Sequence, residues 1–354
     1  MSGDITDAEA AIYDRQIRLW GVEAQHDLRA SSVLIVGVNG LSMETAKNLT
    51  LAGVHSIVLW DPGMIDNDDV QTNFYFTVED IGSPRASILS NRLASMNTFC
   101  SVTSLQHSFE DLRTYPPTHP DIITTLSSAT VVACVNLPQE YAFTLSLHCT
   151  DHGKSFFYAE TRSLLSFFVS YHSPQKTKLF NEKFIEPRTG KRQANTNPVL
   201  IKDAIVIDDD DEDEQLKWDI TLDSFSYQPF HEMWLLKKRT ATQPPRLKNS
   251  QFIAANKMLT SIRADRTLEY IRKFPQNQVT ELDTNELSSL ITQAVPPINP
   301  PIPALSSIVG GLLSQDIANS ITRQNYPIHN SFIFDATTTN GGITCKMTES
   351  IDVP

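Results

Sequence analysis

Two arginines stand three residues apart in the segment YDRQIRLWG (residues 13–21), and each needs an anion or water to satisfy it. If the segment is helical, Arg18 finds Asp14 one turn back, an ordinary i, i+4 ion pair. Arg15 has no acid three or four residues away in either direction; its neighbours there are Ala11, Ile12, Arg18 and Leu19. Such an arginine either lies in water with its stem across apolar surface or answers to an anion supplied from elsewhere. A second constellation follows the first strand-like run. Gly37, Asn39 and Ser42 occupy the positions where a dinucleotide fingerprint carries glycine, with Gly40 between them. The middle position matters most, because a side chain there keeps the backbone away from a pyrophosphate. Asn39 and Ser42 therefore make a poor phosphate cradle. Asp61, 24 residues after Gly37, is placed like a ribose-binding acid, so the outline of a nucleotide site remains without its phosphate end.

The elements that must hold these residues can be read from periodicity. Thr6 and Glu9 have capping-box spacing, and Ile12, Ile17, Leu19 and Trp20 recur roughly as one stripe, so residues 7–20 are expected to be a helix docked through those apolar side chains. SSVLIVG (31–37) is a short continuous apolar run, as in a strand buried on both faces of a parallel sheet. A helix over 42–52 ending at Gly53 and the strand SIVLWD (56–61) complete a βαβ unit. The alternation continues with a helix near 84–97, strands near 101–106 and 129–136, a helix through 138–151, and strands near 155–159 and 164–172. The fold class is therefore α/β, a doubly wound Rossmann-like domain, in its first part over residues 1–172.

Residues 173–228 change character. They are polar, carry IEPRTGKRQANTNP and the acidic block DDDDEDE (208–214), and are expected to be an insertion with a disordered acidic loop. Helical patterning returns over 229–300, with candidates at 230–240, 250–274 and 284–294, before the stiff break PPINPPIP. Residues 301–354 return to the first domain, through an apolar helix at 303–321 with close-packing glycines and a strand in SFIFDATT (331–338).

Composition narrows the function. A formal charge of −12 and 40% hydrophobic content describe a folded chain with real cores and no basic face for nucleic acid. No run approaches the roughly 18 apolar residues that a membrane helix needs, and the N-terminus lacks the pattern of a signal peptide. Cys100, Cys134, Cys149 and Cys345 are far apart with no C-x-x-C pair, which suggests reduced thiols rather than a zinc knot or a disulfide framework. The expected location is the nucleus with some cytoplasm, and the basic residues of PRTGKRQ (187–193) fit import.

Several ordered blocks together resemble a known family. YDRQIRLWG, then VLIVGVNGLSMETAKNLTLAGVHSIVLWD, NFYF, GSPRASILSNRLASMN, and finally SSIVGGLLSQDIAN with NSFIFDATT, are similar to the regulatory (Aos-type) subunits of heterodimeric SUMO-activating enzymes, on the ThiF/MoeB-like adenylating fold. The resemblance implies an obligate heterodimer in which a catalytic partner subunit binds ATP and magnesium and adenylates the C-terminal glycine of SUMO. The chain would have no cofactor of its own. Departures from the catalytic pattern agree with that half of the pair. Q-T-N-F stands where catalytic members have N-R-Q-F, placing Thr72 for arginine; Arg85 stands for a lysine; Asn136 stands near a magnesium-binding aspartate. By the resemblance, Arg15 reaches across the dimer into the partner's ATP site and neutralises triphosphate charge in trans. Ile205, Val206, Ile207, Asp208 and Asp209 also resemble a SUMO-interacting motif, a β-branched run followed by acids; a solvated loop after a short strand is the alternative. Competing readings are a regulatory subunit for the cullin modifier, a homodimeric MoeB-type adenylating enzyme, and a nicotinamide-dependent oxidoreductase on the same fold.

Overall fold

The computed structural model describes residues 5–162, 164–173, 204–206, 218–220, 302–325, 327–328, 330–336 and 342–345. Strands β1 (Ser32–Val36), β2 (Ser56–Trp60), β3 (Ser101–Leu105), β4 (Val131–Val135) and β5 (Ser155–Arg162) are parallel neighbours in the order β3-β2-β1-β4-β5. β6 (Leu165–Tyr171) joins β5 antiparallel. After β7 (Ala204–Val206) and β8 (Trp218–Ile220), which form a two-stranded ribbon of their own, β9 (Ser331–Asp335) and β10 (Gly342–Cys345) extend the main sheet antiparallel to eight strands.

The apolar runs are continuous because both faces of the sheet are covered. Leu34 and Val36 of β1 point into one core with Val132 and Cys134 of β4, while Val33 and Ile35 point into the other with Val131, Ala133 and Val135. On the first face lie α6 (Pro120–Ser128) and α7 (Gln139–Asp151), through Ile122, Leu126, Ala142 and Leu145. The second face is covered by α2 (Val22–Arg29), α3 (Gly40–Ala52), α5 (Arg85–Ala94) and α8 (Pro303–Thr322). Of the paired glycines in α8, Gly310 alone makes the close approach: a Cβ there would lie 2.7 Å from the Glu44 side chain on α3, whereas Gly311 faces open space. Among the described residues no helix is long and apolar enough to cross a membrane.

The βαβ unit, α5, α7, α8 and the central strands fall close to their expected positions. Two helices have no counterpart in the sequence reading, α2 and α6, and α4 (Asn67–Thr72) is a third, short one. In the insertion, β7 and β8 pair antiparallel, Val206 opposite Trp218, so the acidic block lies in the connection between two strands. The acids themselves, and the helix candidates at 230–240, 250–274 and 284–294, lie outside the described residues.

One buried charge site in α8 carries a pH signature. Asp316 is 2% exposed; its Oδ1 accepts a 2.6 Å hydrogen bond from the Ile328 N–H and its Oδ2 has no hydrogen-bond partner among the described residues. Burial pushes this carboxyl up to about 8 from an ordinary 3.8. The unfolded chain therefore sheds its proton first, and the site loses stability as pH rises from about 4 to about 8. Asp316→Asn keeps the acceptor and removes the ionisation. It is expected to raise Tm at pH 8, with a gain that shrinks towards pH 5; a gain independent of pH would show that the carboxyl does not titrate there.

Candidate functional site

In an open parallel sheet, the carboxyl ends of neighbouring strands diverge where chain order reverses, and ligands bind in that crevice. Here the reversal falls between β1 and β4. Gly37, immediately after β1, has φ +92°, and a Cβ on it would stand 2.2 Å from the Val135 carbonyl oxygen at the end of β4. Only glycine permits both that conformation and that approach. The turn is thus the one the sequence suggested, and its next residues determine what it can hold.

Asn39 caps α3. Its Oδ1 accepts from the N–H groups of Leu41 (3.0 Å) and Ser42 (3.2 Å), and its Nδ2 donates to the Val135 carbonyl at 3.3 Å. Ser42 Oγ returns the favour by accepting from the Asn39 N–H at 2.7 Å. The N-terminal N–H groups of a helix in this position are the natural phosphate cradle, and here the chain's own carboxamide satisfies them. Gly40 serves packing: a Cβ there would lie 2.8 Å from Asn73 Oδ1 and 3.1 Å from Ser306 Oγ on α8.

Asp61 is likewise committed. Only 6% exposed, it accepts from the Val38 N–H through Oδ2 (2.7 Å) and from the Gly63 N–H through Oδ1 (2.6 Å). Burial lifts its carboxyl above the usual aspartate range despite those donors and the nearby Arg85. Arg85 sits among three acids: Asp69 at 2.6 Å, Asp66 at 3.6 Å and Asp61 at 3.9 Å. Burial alone would lower the guanidinium, but the Asp69 hydrogen bond and the three charges outweigh it and hold Arg85 above its ordinary value. Thr72 ends α4, half-buried, its hydroxyl donating to the Asp68 carbonyl. Asn136, at φ +52°, uses its carboxamide as a spare peptide: Oδ1 accepts from the Thr161 N–H at 2.8 Å and Nδ2 donates to the Thr161 carbonyl at 3.2 Å. A triphosphate needs free N–H donors and an uncommitted cation, and Mg2+ needs carboxylate oxygen. These residues do not fit either group.

The helix that carries Arg15 is built differently from its expected form. α1 (Asp7–Trp20) has the predicted Thr6–Glu9 capping box, and Arg18 pairs with Asp14 at 2.9 Å on the surface. Its fully buried residues are Glu9 and Tyr13; of the expected stripe, Trp20 packs partly buried against the core, while Ile12 and Leu19 do not. Ile12 is 60% exposed and Leu19 74%. Polar groups complete the docking: Glu9 pairs with Arg29 of α2 at 3.0 Å, the Tyr13 hydroxyl accepts from Asn97 Nδ2 at 2.7 Å, and Gln16 Nε2 donates to the Leu51 carbonyl at 3.3 Å. Asn97 Nδ2 also reaches the Thr50 carbonyl at 2.7 Å, which ties α1 to the end of α3. Tyr13 packs against Gly53, whose φ of +84° ends α3. With positions 9, 13 and 16 held inward, helical spacing turns Ile12, Arg15 and Leu19 outward along one line. Arg15 is exposed there and makes no hydrogen bond or ion pair with another described residue.

Tyr13 and Asn97 are the positioning residues that sequence reasoning missed. Their 84-residue separation leaves no local signal. More apolar surface lies open on the segment from β2 to α5, including Phe74 (91% exposed) and Val78 (73%). Cys100, Cys134 and Cys149 are buried, with burial pushing the Cys100 thiol up to about 11 and that of Cys134 well up, so none of the three is poised as a nucleophile. Ile205 and Val206 lie in β7, paired to β8, while Ile207, Asp208 and Asp209 are outside the described residues.

Comparison with known proteins adds four findings. A family model described as the ThiF family matches residues 13–350. SUMO-activating enzyme subunit 1 of Xenopus laevis is 27% identical over 369 aligned positions, covering 96% of this chain and 96% of that protein. Ubiquitin-like modifier-activating enzyme 1 of Mus musculus is 35% identical over 163 positions, which cover 46% of this chain but 14% of that protein. Among solved structures, E. coli MccB with MccA-N7isoASN matches with a TM-score of 0.54 at 12% identity, covering 97% of this chain and 75% of that one; the likeness is one of fold.

Proposed function

The chain belongs to the ThiF family, and from that membership we propose that it is the non-catalytic subunit of a SUMO-activating enzyme, a half that pairs with an ATP-binding catalytic subunit and lends it Arg15. One observation carries the reading: α1 is fastened inward by Glu9, Tyr13 and Gln16, which leaves a guanidinium with no partner among the described residues between Ile12 and Leu19 on the outward side. An apolar line exposed on a well-anchored helix is the pattern of a surface that another chain covers. An arginine in the middle of such a contact, with no acid of its own, is available to a polyanion on the partner.

The closed nucleotide turn supports the same division of labour. With Asn39, Asp61 and Arg85 committed to the chain's own backbone and acids, adenylation falls to the partner's copy of the fold. There ATP and magnesium would bind, and the cation supplied by Arg15 would offset the charge on the triphosphate as the acyl-phosphate bond forms and pyrophosphate leaves. The full alignment to SUMO-activating enzyme subunit 1 supports SUMO over other modifiers as the acyl donor.

The test is SUMO-dependent ATP–pyrophosphate exchange, run with this chain alone and after adding a SUMO-type catalytic subunit. The expected result is no exchange alone and exchange on mixing. Exchange by the isolated chain would mean that the occupied turn opens to nucleotide and would overturn the assignment.

A further inference from the structure

Two imidazoles and a carboxylate meet where β3 ends and α6 begins. His107 follows β3, His119 caps α6, and Asp121 lies in the first turn of that helix. Their ligand atoms all lie within 4.8 Å of one another. His107 Nε2 is 3.0 Å from Asp121 Oδ2, and the two imidazole rings have centroids 4.0 Å apart. The backbone at His107 and the ring of His119 are held by their surroundings. The His107 carbonyl accepts a 2.7 Å hydrogen bond from the indole N–H of Trp60, a fully buried side chain. His119 Nδ1 accepts from the Asp121 N–H at 3.3 Å, and Pro120 fixes the start of the helix.

A surface ion pair and an N-cap would account for each of these contacts separately. They do not account for two imidazoles brought to 4.0 Å beside one carboxylate, since an exposed pair contributes only about 0–1 kcal/mol and asks for no second ring. We propose that His107, His119 and Asp121 form a site for a first-row transition-metal ion of the Zn2+ or Ni2+ kind. Two imidazole nitrogens and one carboxylate oxygen suit those ions, whereas Mg2+ and Ca2+ prefer oxygen alone. Donors about 2.0–2.1 Å from a tetrahedral ion stand about 3.4 Å apart. The His107–Asp121 pair is already near that separation, and the second imidazole reaches it by a small side-chain rotation. The His107 and Asp121 side chains are 33% and 66% exposed, so water completes the coordination. The bound ion clamps the end of the edge strand β3 to α6 across the connection between them.

The test is isothermal titration of the full chain with ZnCl2, NiCl2 and MgCl2, beside His107→Gln and Asp121→Asn, which leave the His119 cap in place. One Zn2+ per chain with a Kd of roughly micromolar order is expected, with a rise in Tm on adding Zn2+ and no response to Mg2+. Because losing a mere supporting partner weakens metal sites by about 10–100-fold, losing a ligand should weaken binding at least tenfold in each variant, with the metal-free Tm unchanged. Cobalt(II) should give visible ligand-field bands in the parent chain that His107→Gln abolishes. Equal Zn2+ affinity in the parent and both variants would place the ion on other histidines or cysteines and overturn the proposal, as would the absence of heat and of any Tm shift.

Discussion

Replacing Arg15 with alanine is expected to slow ATP–pyrophosphate exchange by the assembled heterodimer about 10²–10³-fold, the usual cost of removing one fixed donor from a developing oxyanion. The heterodimer should still form, because Ile12 and Leu19, the apolar residues flanking Arg15 on the exposed line of α1, are untouched. Two companions sharpen the result. Arg15→Lys keeps the charge but loses the planar fork, and should recover part of the rate. Arg18→Ala removes an exposed ion pair of the kind that contributes about 0.3–0.5 kcal/mol, and should leave exchange unchanged. Co-elution on size exclusion separates a chemical defect from an assembly defect. If Arg15→Ala assembles and exchanges normally, the trans-acting role is wrong. If it fails to assemble, Arg15 is an interface residue and the catalytic reading loses its support.

The second large effect is expected at Gly53. This residue ends α3 with φ +84°, and a Cβ on it would stand 2.6 Å from the Tyr13 ring and 2.7 Å from Gln25 Nε2. Gly53→Ala therefore combines a left-handed backbone penalty of about 1–3 kcal/mol with an overpacking cost of similar size. Tyr13 cannot simply turn aside, because its hydroxyl is held by Asn97 and its ring is 1% exposed. The relief available is for α1 to lift. A drop of about 5–10 °C in Tm is expected, together with loss of exchange in the mixed enzyme, since the helix that presents Arg15 would no longer be fixed. An unchanged melting curve would show that the contact yields at no cost and that α1 is not held through Tyr13.

These two residues illustrate what could be read from the chain and what could not. The β1–turn–α3–β2 unit was legible because its signals are local: a continuous apolar run, a glycine turn, a terminal glycine. The Thr6–Glu9 box and the Asp14–Arg18 pair were legible for the same reason. The burial of α1 was not. Hydropathy assigns Ile12 and Leu19 to the chain's own core, but the structure buries Glu9 and Tyr13; apolar pattern alone does not say which chain does the covering. α2, with the sequence VEAQHDLR, has no stripe to find, and α6 begins from a histidine cap rather than serine or aspartate. The candidate site was half legible. That Asn39 spoils a phosphate turn follows from its type, whereas Arg85 surrounded by Asp61, Asp66 and Asp69 depends on tertiary placement. The same holds for His107 with His119 and Asp121.

The Asn39 cap bears on how the chain depends on metabolism. A protein that folds around a nucleotide draws part of its stability from that nucleotide's concentration, in proportion to its logarithm. Here the oxygen that satisfies the Leu41 and Ser42 N–H groups is covalently part of the chain, so its local concentration never varies. That capping contact contributes the same stability to the scaffold of α1 whatever the nucleotide concentration. In the proposed assembly, ligand-linked stability would belong to the catalytic subunit, and this chain would stand as a constant platform beside it.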